Sequence, residues 1–263
     1  MPPQDLDELA ELAERAAHLG GRVVRSRRAG RPERKGAGDY VTEVDRASEA
    51  AIARALSRAT PGIPVRGEEG GGAGGERYWL VDPLDGTTNF LHGFPAVGVS
   101  VALVEDGRPL VGVVHAPFLG ETYVGVRGRG AALRRRGQPP RPLRVSDRAP
   151  REAVVGTGFP FRRKAILPRY LRMFAAALER FEDLRRPGAA SLDLAWVAAG
   201  VFDGFFELAL SPWDVAAGGL LVEEAGGLVT DWAGGPGYLS GDILAGPPAV
   251  HRTLLELARA TAA

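Results

Sequence analysis

The chain has 263 residues, 45% of them hydrophobic, which is enough for one large domain or two closely packed halves. Its 33 basic and 32 acidic residues leave a formal net charge of +1, so composition gives no reason to expect a nucleic-acid or membrane partner. The absence of cysteine excludes disulfides and thiolate metal sites. No apolar run is long enough to span a bilayer, and residues 1–5 lack the pattern of a signal peptide. These features predict a cytoplasmic protein.

The first 150 residues predict two helices followed by an antiparallel sheet. Apolar residues at three- and four-residue intervals predict helices over 5–28 and 45–59, the second capped by either Thr42 or Asp45. Residues 29–39, between the helices, are interpreted as a flexible loop. Apolar segments bounded by turns predict strands over 78–82, 97–105, 110–116 and 122–126, with another near Leu143.

After residue 150 the predicted strands and helices alternate, which is typical of an α/β arrangement with short loops. The predicted strands cover 153–157, 202–208, 227–230 and 242–245, with another near Leu184. The predicted helices cover 166–181, 190–200, 213–225 and 248–261. We therefore predict two halves, residues 1–150 and 151–263.

The most informative segment runs from Trp79 to Phe90. In it an apolar strand leads into Asp82, Pro83 and Asp85, and then into a Gly-Thr-Thr turn that can begin a helix. Carboxylates at the end of a strand suit hard cations that prefer oxygen ligands, such as Mg²⁺. The first N–H groups of a helix have no backbone partner and suit an anion. This combination indicates metal-assisted chemistry on a phosphate ester.

Three other acids, Asp45, Glu68 and Asp214, also lie at the ends of predicted elements. Each of them alone is more often a helix cap or a solvated surface group, and Asp214 fits the first turn of the helix over 213–225. Several carboxylates in one pocket would repel one another, and divalent cations would relieve that repulsion.

Two segments carry a resemblance to a known family. Residues 82–90, Asp-Pro-Leu-Asp-Gly-Thr-Thr-Asn-Phe, resemble one signature of the inositol monophosphatase family, and residues 213–227 resemble its second signature. Lys35 with residues 39–45, then 67–69 and 188–193, match further blocks in the family's order. The resemblance covers nearly the whole chain. It implies an α+β or α/β fold, a layered αβαβα sandwich of the inositol monophosphatase and fructose-1,6-bisphosphatase type, with the site between the two halves.

The resemblance also implies a set of metal ligands. Glu68, Asp82 and the carbonyl of Leu84 would hold one Mg²⁺, while Asp82, Asp85 and Asp214 would hold a second. Glu68 would assist a weaker third ion near the 29–39 loop. Mn²⁺ is a possible substitute, and Ca²⁺ and Li⁺ are expected to inhibit. Such pairs of ions activate water and stabilise the leaving oxygen in phosphoryl displacement.

Catalytic and substrate-binding residues are implied in the same way. Glu68, Thr87 and Asp45 would be catalytic, with Thr87 relaying the proton of the attacking water and Asp45 accepting the hydrogen bond of the threonine. Lys35 would contact a metal-bound water or the phosphate, or would simply be a solvated loop lysine. The residues implied to bind substrate are Asp85, Gly86, Thr87, Gly188, Ala190, Glu207, Asp214 and Lys35.

The implied reaction is Mg²⁺-dependent hydrolysis of a small phosphate monoester by direct attack of water, with inositol 1-phosphate as the first expected substrate. A fructose-1,6-bisphosphatase or a dual-specificity sugar phosphatase is the alternative. A regulatory binding protein of the transcription machinery is more remote, because only Arg134–Arg136, in a predicted hairpin over 127–144, would support it. We interpret that run as a solvated loop. The implied partners are a small phosphate ester and a second copy of the chain in a homodimer, without a membrane.

Overall fold

The computed structural model describes residues 5–26, 32–36, 39–72 and 75–262. The helices in these ranges are α1 Leu6–Ser26, α2 Glu43–Ala59, α3 Thr87–Leu91, α4 Leu167–Arg180, α5 Ala190–Ala198, α6 Pro212–Glu224 and α7 Pro248–Ala260. The strands of the first half are β1 Glu33–Gly36, β2 Asp39–Val41, β3 Val65–Gly67, β4 Arg77–Asp85, β5 Gly98–Glu105, β6 Arg108–Ala116, β7 Glu121–Val126, β8 Gly130–Arg135 and β9 Arg141–Pro142. Those of the second half are β10 Val154–Thr157, β11 Asp183–Arg185, β12 Gly204–Glu207, β13 Leu228–Thr230 and β14 Ile243–Gly246.

The strands form two main sheets and one hairpin. The large sheet has the order β3-β4-β5-β6-β7-β8-β9, and its only parallel pair among the described strands is β3 with β4. The small sheet has the order β11-β10-β12-β14-β13, with β11, β10 and β12 parallel and the last two pairs antiparallel. The hairpin joins β1 and β2.

Helices and sheets alternate in five layers. Helices α1 and α2 cover one face of the large sheet, α5 and α6 lie between the two sheets, and α4 and α7 cover the outer face of the small sheet. Three apolar cores fill the spaces between these layers. The predicted layered αβαβα sandwich is therefore confirmed.

The sequences of the helices explain their layers. Helix α1 buries Leu9, Leu12 and Ala16 on one face and exposes charged residues on the other, as expected for an outer helix. Helices α5 and α6 are apolar on nearly every side, and most of their residues are buried. A helix with that composition is stable only when protein covers it all round, which the layer between two sheets provides.

Three segments differ from the sequence prediction. Residues 33–36, predicted as part of a flexible loop, pair with 39–41 as a hairpin. The strand predicted to end at residue 82 continues to Asp85, because Asp85 still pairs with Gly98 across a register shift. Arg134 and Arg135, interpreted from the sequence as part of a solvated loop, belong to β8, whose backbone pairs with β7 over its whole length.

The predicted boundary near residue 150 falls between the two main sheets. The large sheet ends at Pro142 and the small sheet begins at Val154. The core around α5 and α6 contains residues from both sides of the boundary. The division into 1–150 and 151–263 stays a prediction. None of the described helices combines the length and the apolar run that crossing a bilayer requires.

Candidate active site

Three carboxylates converge where β4 ends and α6 begins. One carboxylate oxygen from each of Asp82, Asp85 and Asp214 lies within 4.8 Å of the other two. Asp82 and Asp85 come from the last four residues of β4, and Asp214 from the first turn of α6. The layering brings them together because α6 packs directly on β4, β5 and β6.

Each of these carboxylates is fixed by a short hydrogen bond. The N–H of Leu84 donates to Asp82 Oδ1 at 2.9 Å. Asp85 Oδ2 accepts the N–H of Ser191 at 2.7 Å and its hydroxyl at 2.6 Å. The N–H of Ser211 donates to Asp214 Oδ2 at 2.7 Å, in the reciprocal capping box that begins α6. Asp214 is therefore both a helix-capping acid, as its position in the sequence suggested, and a member of the cluster.

Burial and the neighbouring negative charges raise the pKa of two of these acids, Asp82 and Asp85. Burial raises the pKa of Asp82, and the negative charges of Glu68, Asp85 and Asp214 raise it further. Burial followed by the charge of Asp214 raises the pKa of Asp85 to about 7, against the opposing hydrogen bonds from Ser191. The donor set consists entirely of oxygen atoms and carries an excess of negative charge. It therefore fits a hard divalent cation such as Mg²⁺.

Glu68 and Leu84, the remaining predicted ligands, border the same space. Glu68 directly follows β3, and its N–H donates to the carbonyl of Val81 in β4 at 3.2 Å. The carbonyl of Leu84 accepts a hydrogen bond from the Thr87 hydroxyl at 3.2 Å. Both residues line the cavity that contains the three aspartates.

The Thr87 hydroxyl connects the cluster to helix α2. It lies 3.1 Å from Asp45 Oδ1, the contact that the resemblance implied. Asp45 Oδ2 accepts the N–H of Thr42 at 2.8 Å and its hydroxyl at 2.5 Å, so Thr42 is the N-cap and Asp45 completes the capping box. Burial raises the pKa of Asp45, and these hydrogen bonds oppose the rise.

Gly86 makes the sharp turn between β4 and α3. Its φ is +88°, in the left-handed region that glycine adopts without strain. A Cβ at this position would lie 2.9 Å from the carbonyl oxygen of Ala96, so a side chain would not fit without movement of the backbone. Gly86 and the first two residues of α3, Thr87 and Thr88, line the cavity.

The cavity measures about 330 Å³ and contains most of the predicted substrate-binding residues. Glu207, at the end of β12, lies in its wall, and burial followed by the charge of Asp214 raises the pKa of that carboxyl to about 8. Asp45 lies behind Thr87 rather than in the wall. Lys35 falls in β1, and its side chain lies outside the described residues. The predicted residues in the cavity wall are Glu68, Asp82, Leu84, Asp85, Gly86, Thr87, Gly188, Ala190, Glu207 and Asp214.

Sequence reasoning missed several residues that shape this site. Ser191 anchors Asp85 from 106 positions away, although it stands in a block already matched to the family. Glu49 accepts the N–H groups of Glu69 at 2.8 Å and Gly70 at 2.6 Å, and so fixes the loop that carries Glu68. Arg186 also lines the cavity. Spacing along the chain carries no signal for these contacts, because each joins distant elements.

The fold is a layered α/β sandwich, and its acidic cavity has a donor set that fits a hard divalent cation. The sequence model of the inositol monophosphatase family matches residues 5–262. The chain belongs to the inositol monophosphatase family, whose members are Mg²⁺-dependent phosphatases.

Three relatives illustrate this membership. The Nus factor SuhB of Pseudomonas aeruginosa is 50% identical over 230 residues, which cover 84% of this chain and 83% of that protein. The extragenic suppressor protein SuhB of Bartonella henselae has a crystal structure with a TM-score of 0.88 and 37% identity, covering 95% of this chain and 97% of that one. The inositol monophosphatase of Anabaena (Nostoc) sp. PCC 7120 has a TM-score of 0.87 and 36% identity, covering 97% and 96%.

Proposed function

We propose that this chain hydrolyses small phosphate monoesters in a Mg²⁺-dependent reaction, with inositol 1-phosphate as the preferred substrate. The observation that carries the proposal is the convergence of Asp82, Asp85 and Asp214 within 4.8 Å at one wall of a cavity. An unneutralised cluster of buried acids destabilises the folded protein, so its presence is best explained by the cations that it binds.

The residues that would hold Mg²⁺ are Asp82, Asp85, Asp214, Glu68 and the carbonyl of Leu84. When bound, divalent ions at such a site supply activation of water and stabilisation of the leaving oxygen. The hydrogen bonds that fix each aspartate support this assignment, because a site whose ligands are already oriented loses less entropy on binding.

Thr87 and Asp45 are assigned to the proton transfer. The Thr87 hydroxyl lies between the Leu84 carbonyl and Asp45 Oδ1, at 3.2 and 3.1 Å. With its proton directed towards Asp45, its oxygen can accept a hydrogen bond from the attacking water and orient that water. Asp45 is buried and held by Thr42, so it stays in position while the threonine exchanges its partner.

The remaining predicted residues would hold the ester. The N–H groups of Gly86 and Thr87 would bind phosphate oxygens, and Glu207 would accept hydrogen bonds from ring hydroxyls. Gly188 and Ala190 would form the wall beside the ring. A cavity of about 330 Å³ falls within the usual range for small-molecule sites.

A panel of phosphate esters, each assayed with Mg²⁺ and with excess EDTA, tests the proposal. We expect inositol 1-phosphate to give the highest kcat/KM and EDTA to abolish turnover. A higher kcat/KM for fructose 1,6-bisphosphate would favour the alternative sugar phosphatase. Hydrolysis that persists unchanged in EDTA would refute metal dependence.

A second candidate is a regulatory role in transcription, because the Pseudomonas relative is named a Nus factor. In this chain Arg134 forms an ion pair with Glu14, and Arg135 forms one with Glu121, whereas Arg136 and Arg141 are exposed. A pull-down with purified RNA polymerase at moderate salt tests this role. Binding that is lost in an Arg136→Ala/Arg141→Ala variant with normal hydrolysis would support it, and failure of the intact chain to bind would exclude it.

The implied homodimer is likewise a proposal, which sedimentation velocity tests.

A further inference from the structure

We propose that Arg186 forms a binding site for a second anionic group of the substrate, in the cavity that also contains the three aspartates. The inference rests on the proposed function, because it assigns a class of ligand to the same cavity: small phosphate esters that carry another phosphate or carboxylate. Inositol 1-phosphate itself does not require such a site.

Two aromatic rings and a glycine hold the guanidinium group of Arg186 in place. Its Cζ atom lies 5.1 Å from the ring centroid of Phe159 and 5.3 Å from that of Phe161. These distances are within the range of cation–π interactions. Nη1 also packs on Gly188, where a Cβ atom would lie only 2.7 Å from it. An arginine held on three sides presents its donors in a fixed direction.

Within the described part of the chain, the guanidinium of Arg186 makes no hydrogen bond and no ion pair. The neighbouring Arg185, by contrast, pairs with Asp183 and donates to the Leu184 carbonyl at 3.1 Å. A guanidinium has five N–H donors in a planar fork that matches the oxygens of phosphate or carboxylate.

The cavity wall carries groups of both charges. Asp82, Asp85 and Asp214 line it, and so do Arg186, Arg162 and Arg163. The charge of Arg186 reaches the cavity, since it opposes the burial that raises the pKa of Glu207. A ligand whose scissile phosphate lies at the aspartates would place its second anionic group at Arg186.

A structural role for Arg186 makes a different prediction. If it served only to neutralise Glu207 and the nearby buried Asp193, its removal would weaken the binding of every ligand alike. If it binds a second anionic group, its removal would weaken only ligands that carry that group. The two roles are therefore separated by one ratio, the affinity for a ligand with the second anionic group divided by the affinity for a ligand without it.

The experiment uses two ligands that differ by one phosphate, fructose 1,6-bisphosphate and fructose 1-phosphate, as competitors of inositol 1-phosphate hydrolysis. We expect the intact chain to bind the bisphosphate more tightly, and Arg186→Gln to reduce that preference about tenfold, as for the loss of one charge-assisted hydrogen bond. Arg186→Lys should keep part of the preference, because it retains the charge but not the fork. Arg185→Gln is the matched control and should keep all of it.

Equal inhibition by both ligands in the intact chain, or an unchanged ratio in Arg186→Gln, would overturn the inference. Failure of the chain to hydrolyse inositol 1-phosphate at any Mg²⁺ concentration would instead refute the proposed function. Calorimetric titration would then still measure the ratio of the affinities for fructose 1,6-bisphosphate and fructose 1-phosphate. A preference for the bisphosphate that Arg186→Gln reduces would support the inference, and an unchanged ratio would overturn it.

Discussion

Asp82→Asn should stabilise the metal-free protein while it removes the response to Mg²⁺. Asp82 is buried and belongs to a cluster whose oxygens lie within 4.8 Å of one another. At that separation, with an effective dielectric constant of 20, one ionised pair repels by about 3.5 kcal/mol. Asparagine removes the charge but keeps an oxygen that can accept the 2.9 Å hydrogen bond from the Leu84 N–H.

The net gain should be smaller than one full pair energy. The raised pKa values of Asp82 and Asp85 mean that protonation already relieves part of the repulsion near neutral pH. We therefore expect Asp82→Asn to raise the free energy of unfolding by about 2 kcal/mol in EDTA. In wild type, Mg²⁺ at about 100 times its dissociation constant should add about 2.7 kcal/mol, and the variant should gain much less.

Urea unfolding in EDTA and in Mg²⁺ measures both effects, provided that the slope of the transition is unchanged. Asp203→Asn is a control with the opposite expected sign. Asp203 is a buried acid that accepts hydrogen bonds from Arg148 and from the Val154 N–H, both at 2.7 Å, so its loss should destabilise and leave the Mg²⁺ response intact. If Asp82→Asn is less stable than wild type in EDTA, or responds to Mg²⁺ as wild type does, the reasoning fails.

Three further predictions concern the proton path, the Glu68 loop and a buried histidine. Thr87→Ala should lower kcat about 10²-fold or more, as expected for loss of a positioned proton-transfer group, with Mg²⁺ stabilisation retained. Glu49→Gln should cost about 1.5 kcal/mol of stability and raise the Mg²⁺ concentration for half-maximal activity, because it weakens the hydrogen bonds to the loop. Burial, with the charge of His18, lowers the pKa of His115 to about 4 in the folded protein. The contribution of neutral His115 to the free energy of unfolding should therefore be complete above pH 6.5. It should fall by up to about 3 kcal/mol towards pH 4, because the histidine takes up a proton in the unfolded chain at a higher pH than in the folded protein.

Each of these predictions has its own control. Thr87→Ser keeps the hydroxyl and should recover most of the activity; equal losses in the alanine and serine variants would argue against proton transfer. A Glu49→Gln variant that unfolds more easily but keeps wild-type Mg²⁺ dependence would show that Glu49 only stabilises. For His115, the difference in unfolding free energy between wild type and His115→Gln should shrink as the pH falls. A constant difference would contradict the assignment, and the exposed His92→Gln variant controls for the loss of an imidazole.

The sequence predicts most of the helices and strands because they depend on short-range patterns, whereas the layered arrangement is implied only by the family resemblance. The three- and four-residue spacing of Leu9, Leu12 and Ala16 predicts an amphipathic helix, and the structure places the uniformly apolar α5 and α6 in the covered layer. The paired strands β1 and β2, and strand β8, are not predicted, for the opposite reason. Their sequences are rich in Gly, Arg and Lys, and they are strands because of the neighbours with which they pair.

The candidate site likewise has residues that the sequence predicts and residues that it does not. Asp82 and Asp85 are recognisable because they stand together after an apolar strand. The residues that position the site are not recognisable, since Ser191 reaches Asp85 across 106 positions and Glu49 holds a loop some 20 residues away. A serine on an apolar helix or a glutamate on a charged one gives no local sign of such a contact.

There is a physical reason why the recognisable acids need positioning residues from distant parts of the chain. Mutual repulsion would drive Asp82, Asp85 and Asp214 apart in a flexible protein, and the carboxylates would turn towards water. They stay together because rigid elements carry them and because the N–H groups of Leu84, Ser191 and Ser211 hold one oxygen of each. The chemistry therefore needs both a local motif and a set of distant anchors. If the anchors are essential, Ser191→Ala should weaken Mg²⁺ binding although serine is not itself a metal ligand; unchanged Mg²⁺ affinity in that variant would show that the backbone N–H alone is sufficient.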